Sequence, residues 1–318
     1  MQAALCFGID VAQATLSVCS AKPQAHVTTL ANNARAIGAF LKRLPQGAVL
    51  ACEPTNTYHE RLAERAVAAG FTLYLVNPHE LVHYRQALGL RAKTDRIDAQ
   101  VLARYALHEG ARLRPYRPLP PAARALSILI RRRATVVRAR AQLRQSLGSV
   151  RALHRELQAV LERIEHLIAT LDARIAKLIA ADTGWQQQHQ RLQSIPGVGP
   201  CVSAAALAGF ARGPFARADA FVAFTGYDLR VRDSGKQRGT RRLSKRGDAE
   251  LRRLFYVAAL AAARTRTWRP YYERYLARGL SPTAALVALA RKLVRTAWSI
   301  IAHNTSFDPA RLSHQNLT

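Results

Sequence analysis

The feature that most constrains the fold is a succession of short apolar segments in the first 76 residues. Three of them, at 4–10, 15–19 and 26–30, follow one another closely enough to form a three-stranded meander. Two more, at 48–52 and 72–76, alternate with helically spaced segments at about 33–44 and 58–69. Hairpin strands followed by alternating helix and strand predict an α/β domain built on a mixed sheet.

Four acidic residues lie where these predicted strands end or where a later helix begins. Asp10 ends the first apolar segment, Glu53 follows the fourth, and Asp95 and Asp98 lie three residues apart, so that they share one helical face. The order of elements is that of RNase H-like nucleases, in which the first and fourth strands bring their acids together. A single aspartate in such a place is more often a helix cap or turn residue. Four together predict a magnesium site for phosphoryl transfer.

The net charge predicts a polyanionic partner. The chain carries a formal charge of +28 and has a pI near 11.3, and neutralising phosphates with Lys and Arg releases counterions. Residues 1–120 contain 14 Lys and Arg against 8 Asp and Glu, a net +6, which leaves +22 for residues 121–318. The first third therefore fits a catalytic domain, and the remainder fits a surface that binds nucleic acid.

Cysteine spacing and hydropathy predict an intracellular protein. The four cysteines show no C-x-x-C spacing, and no apolar stretch reaches the ~20 residues that a membrane span needs. No basic segment followed by an apolar signal opens the chain. We expect a cytoplasmic, nucleoid-associated protein without a membrane part.

The prolines at positions 118, 120 and 121 open a second region, which we place at 116–183, after a first domain at 1–115. Eight apolar residues recur there at steps of three and four: Leu153, Leu157, Val160, Ile164, Leu167, Leu171, Ile175 and Leu178. This seam predicts either a coiled coil between protomers or a helix packed within its own domain. Arginines upstream predict phosphate contacts, with an ordinary solvated face as the alternative: Arg131, Arg132, Arg133, Arg138, Arg140 and Arg144.

The third region, 184–318, is predicted to be mainly helical. Near its start, Gly197 and Gly199 form a Gly-Val-Gly turn that enters a small-residue helix at 201–208. Such a turn resembles a helix-hairpin-helix element, which offers backbone N–H groups to a DNA phosphate. Pro-Gly turns are also common helix connectors, so a purely structural role stays open.

A glycine- and arginine-rich segment from Arg230 to Arg253 predicts a loop that leads into a helix. A serine among arginines and next to glycine suits attack on a phosphodiester, because guanidinium groups stabilise the developing charge. Ser234 and Ser244 both qualify, and the alternative is a basic loop that only holds DNA. Further residues predicted to contact nucleic acid are Lys236, Arg238, Arg241, Arg242, Lys245 and Arg246.

Several motifs occur in a fixed order: Gly8-Ile9-Asp10, Cys52-Glu53-Pro54-Thr55, Lys93-Thr94-Asp95-Arg96-Ile97-Asp98-Ala99, Ile195-Pro196-Gly197-Val198-Gly199, Phe224-Thr225-Gly226, Ser234-Gly235 and Leu243-Ser244-Lys245-Arg246-Gly247. From about residue 5 to 310 the chain thereby resembles the DEDD-type transposases of bacterial insertion sequences, relatives of the pilin-gene-inverting recombinase. The resemblance implies a RuvC-like domain that holds Mg²⁺ with the four acids, and a transposase domain whose nucleophile is Ser234. It places Ser244 in a later motif that supports the nucleophile or contacts DNA.

The resemblance also implies an activity and its partners. Family members recombine DNA through a covalent DNA–serine intermediate, guided by a structured RNA from the element's non-coding end that pairs with donor and target duplexes. We expect a homodimer, or a tetramer in the synaptic complex. Two alternatives stay open: a metal-dependent junction nuclease that uses water, and a non-catalytic nucleic-acid-binding protein. One departure from the family is Gly226-Tyr227-Asp228-Leu229, where Gly-x-x-Pro is usual.

Overall fold

The computed structural model describes residues 5–22, 24–55, 57–90, 92, 94–230 and 241–312. The chain divides into two compact units, Met1–Pro118 and Leu119–Thr318. The helices of the predicted middle region lie in the second unit, so the division into three functional regions stays a prediction. Among the described helices, none is both long enough and apolar enough to cross a membrane.

Five strands of the first unit form one mixed sheet. They are β1 (Cys6–Val11), β2 (Thr15–Ser20), β3 (Thr28–Ala31), β4 (Val49–Cys52) and β5 (Thr72–Leu75), in the order β3-β2-β1-β4-β5. The β1-β2 and β2-β3 pairs are antiparallel, whereas β1-β4 and β4-β5 are parallel. The predicted strands are confirmed, each with boundaries within two residues of those expected.

Helices cover both faces of this sheet. They are α1 (Ala34–Arg43), α2 (Glu60–Ala68), α3 (Pro78–Ala87) and α4 (Asp95–Glu109). Because strand side chains alternate between faces, Ile9 and Leu50 pack with Ile37 of α1 and Leu62 of α2. A second core lies on the opposite face, where α3 and α4 pack: Ala51, Val76, Leu81, Val101, Leu102 and Ala106. The mixed α/β architecture is therefore confirmed for this unit.

The second unit is mostly helical. Its helices are α5 (Pro121–Leu147), α6 (His154–Ala180), α7 (Thr183–Gln193), α8 (Pro200–Phe210), α9 (Ala218–Thr225), α10 (Ala249–Ala262), α11 (Arg269–Ala277) and α12 (Pro282–His303). A two-residue antiparallel pair, β6 (Leu229–Arg230) and β7 (Arg242–Leu243), lies between α9 and α10. The largest fully buried side chains of its core are Trp268, Tyr227, Phe221 and Phe255.

Helices α5 and α6 form an antiparallel hairpin within this unit. Arg133 pairs with Asp172 and Arg140 with Glu165, so positions that rise along α5 meet positions that fall along α6. The helix packs within its own unit, as one of the two alternatives for the apolar seam requires.

The structure splits the predicted seam into two faces. Leu157 and Ile175 are buried, together with residues that the spacing missed: Leu161, Ile168 and Ile179. Leu153, Val160 and Leu167 lie at seven-residue steps and are 41%, 47% and 46% exposed. The eight residues therefore do not form one buried line, because the helix turns its strongest apolar face toward α5.

Candidate active site

The sheet places Asp10 and Glu53 beside each other. Asp10 lies on β1, and Glu53 directly follows β4. The two strands are parallel with Ile9 opposite Cys52, so the next position on each chain is Asp10 and Glu53. The predicted neighbourhood of these acids, at the carboxyl ends of the first and fourth strands, is confirmed by this register.

Helix α4 carries the other two acids in its first turn. Its N-cap is Thr94, whose hydroxyl accepts a hydrogen bond from the Ile97 amide at 3.3 Å. Because Thr94 fills the capping position, helix capping does not explain Asp95 or Asp98. The Asp98 carboxylate instead accepts a hydrogen bond from Arg85 of α3 at 3.0 Å, and sequence reasoning missed this arginine.

Gly8 permits α4 to lie close to β1. A Cβ atom at position 8 would overlap the carbonyl oxygen of Ala99 and the amide nitrogen of Ala103, and would lie 2.7 Å from Cβ of Leu102. Gly8 and Asp10 are two positions apart on a strand, so they face the same side of the sheet. The missing side chain at Gly8 thus sets the distance between Asp10 and the helix that bears the two aspartates.

The electrostatics of Asp10 show that the four acids share one environment. Burial contributes most to raising the pKa of Asp10, and the charges of Asp95, Asp98 and Glu53 follow in that order, so that the pKa reaches about 6. Like charges brought together in a partly buried place disfavour ionisation. A bound cation would relieve this repulsion.

The oxygen donors of this site suit a hard divalent cation. Within the ranges that the structure describes, however, no three Asp, Glu, His or Cys side chains are close enough to hold a metal ion as they stand. One reason is visible at Asp98, which is paired with Arg85. The donor set fits magnesium in its chemistry, and binding would require the carboxylates to draw together.

The predicted nucleophile lies outside the described residues. Ser234, Lys236 and Arg238 belong to residues 231–240, whereas Arg241 and Arg242 follow that segment and are exposed. The two ends of the segment meet at the β6-β7 pair, where Leu229 is opposite Leu243. We call residues 226–230 and 242–248 the loop base.

Ser244 is bonded into the loop base. Its hydroxyl donates to the carboxylate of Asp228 and accepts from the Arg246 amide at 3.1 Å. Its amide donates to the Asp228 carbonyl at 2.8 Å. Asp228 therefore anchors the second candidate serine. Sequence reasoning missed this link, although Asp228 lies in the segment Gly226-Tyr227-Asp228-Leu229.

Two glycines allow the strands of the loop base to approach. Gly226 ends α9 with φ +73°, and a Cβ at Gly247 would overlap the carbonyl oxygen of Phe224 and the amide nitrogen of Gly226. The Arg252 guanidinium donates to the carbonyls of Thr225 at 3.1 Å and Lys245 at 3.4 Å. The Phe-Thr-Gly and Ser-Lys-Arg-Gly motifs thus form two halves of one backbone clamp.

The other predicted nucleic-acid contacts fall into two groups. Arg131, Arg132 and Arg138 are exposed, and Lys245 and Arg246 are exposed at the loop base. The side chain of Arg133 is 17% exposed and pairs with Asp172, so the structure gives it a role in joining α5 to α6.

The two glycines of the Gly-Val-Gly turn differ in their surroundings. Gly197 has φ +95°, and a Cβ there would lie 2.7 Å from Cβ of Ala262 on α10. Its lack of a side chain is therefore explained by packing, not by a phosphate. Gly199 is the N-cap of α8, and a Cβ there would meet no heavy atom within 4 Å among the described residues. The prediction of a phosphate contact stays with Gly199.

Comparisons with known proteins decide the family. A family model of DEDD transposases of the IS110 type, described as "Transposase", matches residues 7–164. A second, described as "Transposase IS116/IS110/IS902 family", matches residues 189–273. The chain belongs to the IS110 family. This IS110 transposase carries its acid site within the first match and the loop base within the second.

Individual relatives agree with this assignment. The chain is 28% identical to the pilin gene-inverting protein of Moraxella bovis, over 81% of each chain. It is 28% identical to a probable family 20 transposase of Pseudomonas aeruginosa, over 95% of this chain and 98% of the relative. It is 31% identical to an uncharacterized 42 kDa protein of the insertion element IS900 of Mycobacterium paratuberculosis, over 46% of this chain.

Family membership fixes the coarse function. The IS110 transposase is a DNA transposase or recombinase, and its substrate is DNA. Transposases of this DEDD family are typically metal-dependent. The alternative of a non-catalytic nucleic-acid-binding protein is therefore wrong.

Proposed function

We propose that this IS110 transposase is an RNA-guided DNA recombinase with a magnesium site at Asp10, Glu53, Asp95 and Asp98 and with Ser234 as its nucleophile. The observation that carries the proposal is that two strand-end carboxylates and two aspartates on α4 act on one another electrostatically, on a helix that Gly8 allows to lie close to β1. The strand order, with antiparallel β2 and β3 on one side of β1 and parallel β4 and β5 on the other, supports a RuvC-like fold for this unit.

The four proposed metal ligands come from a strand pair and from a helix. Asp10 and Glu53 would bind the metal from the sheet, and Asp95 and Asp98 from the first turn of α4. When bound, Mg²⁺ supplies charge neutralisation at the scissile phosphate. Arg85 would keep Asp98 compensated until Asp98 turns toward the site.

Ser234 would attack the phosphodiester from a segment whose ends are fixed. As the bond between Oγ and phosphorus forms, the hydroxyl loses its proton, one P–O bond of the DNA breaks, and the departing strand-end oxygen takes up a proton. Attack by a strand end of the other duplex then releases the serine and rejoins the DNA. The clamp made by Gly226, Gly247 and Arg252 supports this role, because it holds together the described residues on either side of positions 231–240.

Guidance by RNA would explain why the protein is strongly basic, because its side chains then need not recognise the DNA sequence themselves. In such a complex, base pairing with donor and target DNA selects the sites, while Lys and Arg contact the backbones. The net charge of +22 on residues 121–318 supports this division of labour. With DNA as the substrate, we place the enzyme at the nucleoid.

A covalent adduct tests the proposal. Purified protein is incubated with Mg²⁺, RNA from the element's end and a labelled duplex that carries the element junction, and is then denatured. We expect a DNA–protein adduct in the wild type and in Ser244→Ala, because Ser244 is bonded to Asp228 and serves the loop base. The adduct should be lost in Ser234→Ala and in Asp10→Asn.

Denaturing gel electrophoresis of these reactions also distinguishes the alternative functions. Cleavage without an adduct, unaffected by Ser234→Ala, would establish a junction nuclease that uses water. An adduct that disappears in Ser244→Ala and persists in Ser234→Ala would move the nucleophile to Ser244. Omitting the RNA while keeping the duplex tests guidance separately, since an unguided enzyme would form the adduct equally well.

We further propose that the enzyme is a homodimer, joined along the exposed apolar line of α6, and that two dimers form the synaptic tetramer. Val160 and Leu167 of α6, with Leu153 just before the helix begins, repeat at seven-residue intervals, as the contact positions of a coiled coil do. They lie apart from the face that α6 buries against α5.

Charge introduced on this line should separate the protomers. We expect the double variant Val160→Glu, Leu167→Glu to be monomeric in sedimentation velocity at concentrations where the wild type is dimeric. Gln158→Glu, an exposed position of the same helix outside the line, is the matched control and should stay dimeric. A dimer that survives the double variant would show that protomers associate through another surface.

A further inference from the structure

A cluster of cations is formed by residues of α11 and α12. Arg274 and Arg278 come from the end of α11, and Arg291 and Lys292 from the middle of α12. Tyr275 links the three arginines, because the charges of Arg278, Arg274 and Arg291 all act on its hydroxyl. We call these four basic residues the α11–α12 cluster.

Lys292 is the most constrained member. Its Nζ lies 4.7 Å from the centroid of the Tyr271 ring, and Cζ of Arg274 lies 5.5 Å from the same centroid. Tyr271 is fixed in turn, since its hydroxyl donates to the Leu312 carbonyl at 3.0 Å. Burial and the charges of Arg295 and Arg274 lower the pKa of Lys292. The fold therefore places an ammonium group where its charge is costly.

Within the described part of the chain, no carboxylate neutralises the positive charges of this cluster. The nearest acid on α11, Glu273, pairs with Arg269 at 2.8 Å, and Asp219 pairs with Arg295. None of the four clustered cations forms an ion pair among those residues. Nε of Arg291 is buried there without an acceptor. Like charges gathered without acids cost free energy, unless an anion binds among them.

We propose that the α11–α12 cluster is a binding site for a backbone phosphodiester of nucleic acid. The guanidinium groups of Arg274 and Arg278 are exposed and can donate in pairs to phosphate oxygens, and Lys292 adds a point charge behind them. Tyr272, half-buried on α11 next to Tyr271, offers a ring against which a neighbouring base could stack.

This inference rests on the proposed function in one respect, which is that nucleic acid is the ligand. An acidic segment of a protein would meet the same cations, but the surrounding unit has a net +22 over residues 121–318 and already acts on DNA. Donor or target DNA and guide RNA present the same phosphodiester chemistry. The experiment therefore includes one arm for each.

Equilibrium binding to Lys292→Met tests the site. Methionine keeps the apolar stem and removes the ammonium, so we expect the melting temperature to stay the same or rise. A fluorescein-labelled 30-bp duplex and a hairpin RNA of equal charge are titrated at several salt concentrations in EDTA. We expect a loss of about tenfold in affinity and a salt slope smaller by about one counterion, in the arm whose nucleic acid occupies the site.

Arg269→Gln, on α11, is the matched control, because it also removes one positive charge but removes one that Glu273 neutralises. Its affinities should stay within about twofold of the wild type. The proposal is overturned if Lys292→Met leaves both affinities and both salt slopes at the control values. Binding in EDTA involves no strand exchange, so its outcome does not depend on whether Ser234 is the nucleophile.

A footprint on the wild type covers the case in which Lys292→Met does not fold. Brief acetylation followed by mass spectrometry compares Lys292 with Lys42, an exposed lysine of the first unit. We expect bound nucleic acid to protect Lys292 several-fold more than Lys42. Equal protection of the two lysines would count against the site.

Discussion

Alanine at position 8 is expected to destabilise the first unit by at least about 3 kcal/mol, which is large for the addition of one methyl group. The added Cβ would overlap the backbone of α4 at Ala99 and Ala103. Backbone atoms cannot rotate away as the end of a side chain can, so α4 must move from β1. The same movement would carry Asp95 and Asp98 from Asp10, and activity should be lost even in protein that stays folded.

Gly38→Ala is the matched control for this prediction. Gly38 lies inside α1, and among the residues that the structure describes a Cβ there would meet only the end of the Arg65 side chain, at 4.0 Å. The substitution should stabilise the unit by about 0.5–1 kcal/mol through helix propensity. The same chemical change therefore has opposite signs at the two positions.

Tryptophan positions make the measurement specific to one unit. Trp185, Trp268 and Trp298 all lie in the second unit, so their fluorescence reports on that unit. Urea-dependent hydrogen exchange of β1 and β4 amides reports on the first. Gly8→Ala should lower protection in the strands while leaving the fluorescence transition in place. Unchanged protection in β1 would show that α4 accommodates the methyl group without cost.

The sequence was sufficient for the sheet because its signals are local. Each strand of the first unit is a short apolar run bounded by turn residues, and Asn33 and Gly70 mark where neighbouring helices begin and end. The closeness of Asp10 to Glu53 was predicted from the likeness of the element order to that of RNase H-like nucleases. The contact of Gly8 with α4 could not be predicted from the sequence, because it joins residues about ninety positions apart and produces no periodic pattern of residue types.

The second unit shows why spacing alone misleads. The seam from Leu153 to Leu178 has helical spacing, but spacing does not say which of two adjacent stripes faces a neighbour. Ion pairs with α5 at Asp172 and Glu165 fix the rotation of α6 and leave Leu167 outside. Gly197 likewise looked like a phosphate site, and α10 explains it by packing. In both cases the missing information was the identity of the neighbouring helix.

The substitution Asp10→Asn should make the metal-free protein more stable while abolishing its activity. The folded-state pKa of Asp10, about 6, lies above its ordinary value of 3.8, so folding favours the protonated form. Stability from this group is fully present below about pH 4 and is lost as the pH rises through 6. The asparagine variant carries no charge at this position and escapes that loss. Because Asp10 is only partly buried, we expect a gain of about 1–2 kcal/mol at pH 8.

Magnesium should reverse the order of stability of the wild type and the Asp10→Asn variant. In the wild type, a cation among the four carboxylates removes their repulsion, so Mg²⁺ at pH 8 should raise the protection of β1 and β4 amides against exchange. The Asp10→Asn variant lacks one of the charges that bind the ion, and we expect little response. A matched substitution, Glu109→Gln at the far end of α4, should respond to Mg²⁺ as the wild type does.

Two outcomes would contradict this account of the acids. Equal stabilisation of wild type and Asp10→Asn by Mg²⁺ would place the metal elsewhere. A variant less stable than wild type at pH 8 in EDTA would show that the acids do not repel one another. Repulsion without metal and stabilisation with it would together mean that the metal-free unit is less stable because its metal ligands are preorganised. The sheet and α4 hold the carboxylates near one another before the ion binds, and this proximity costs folding free energy.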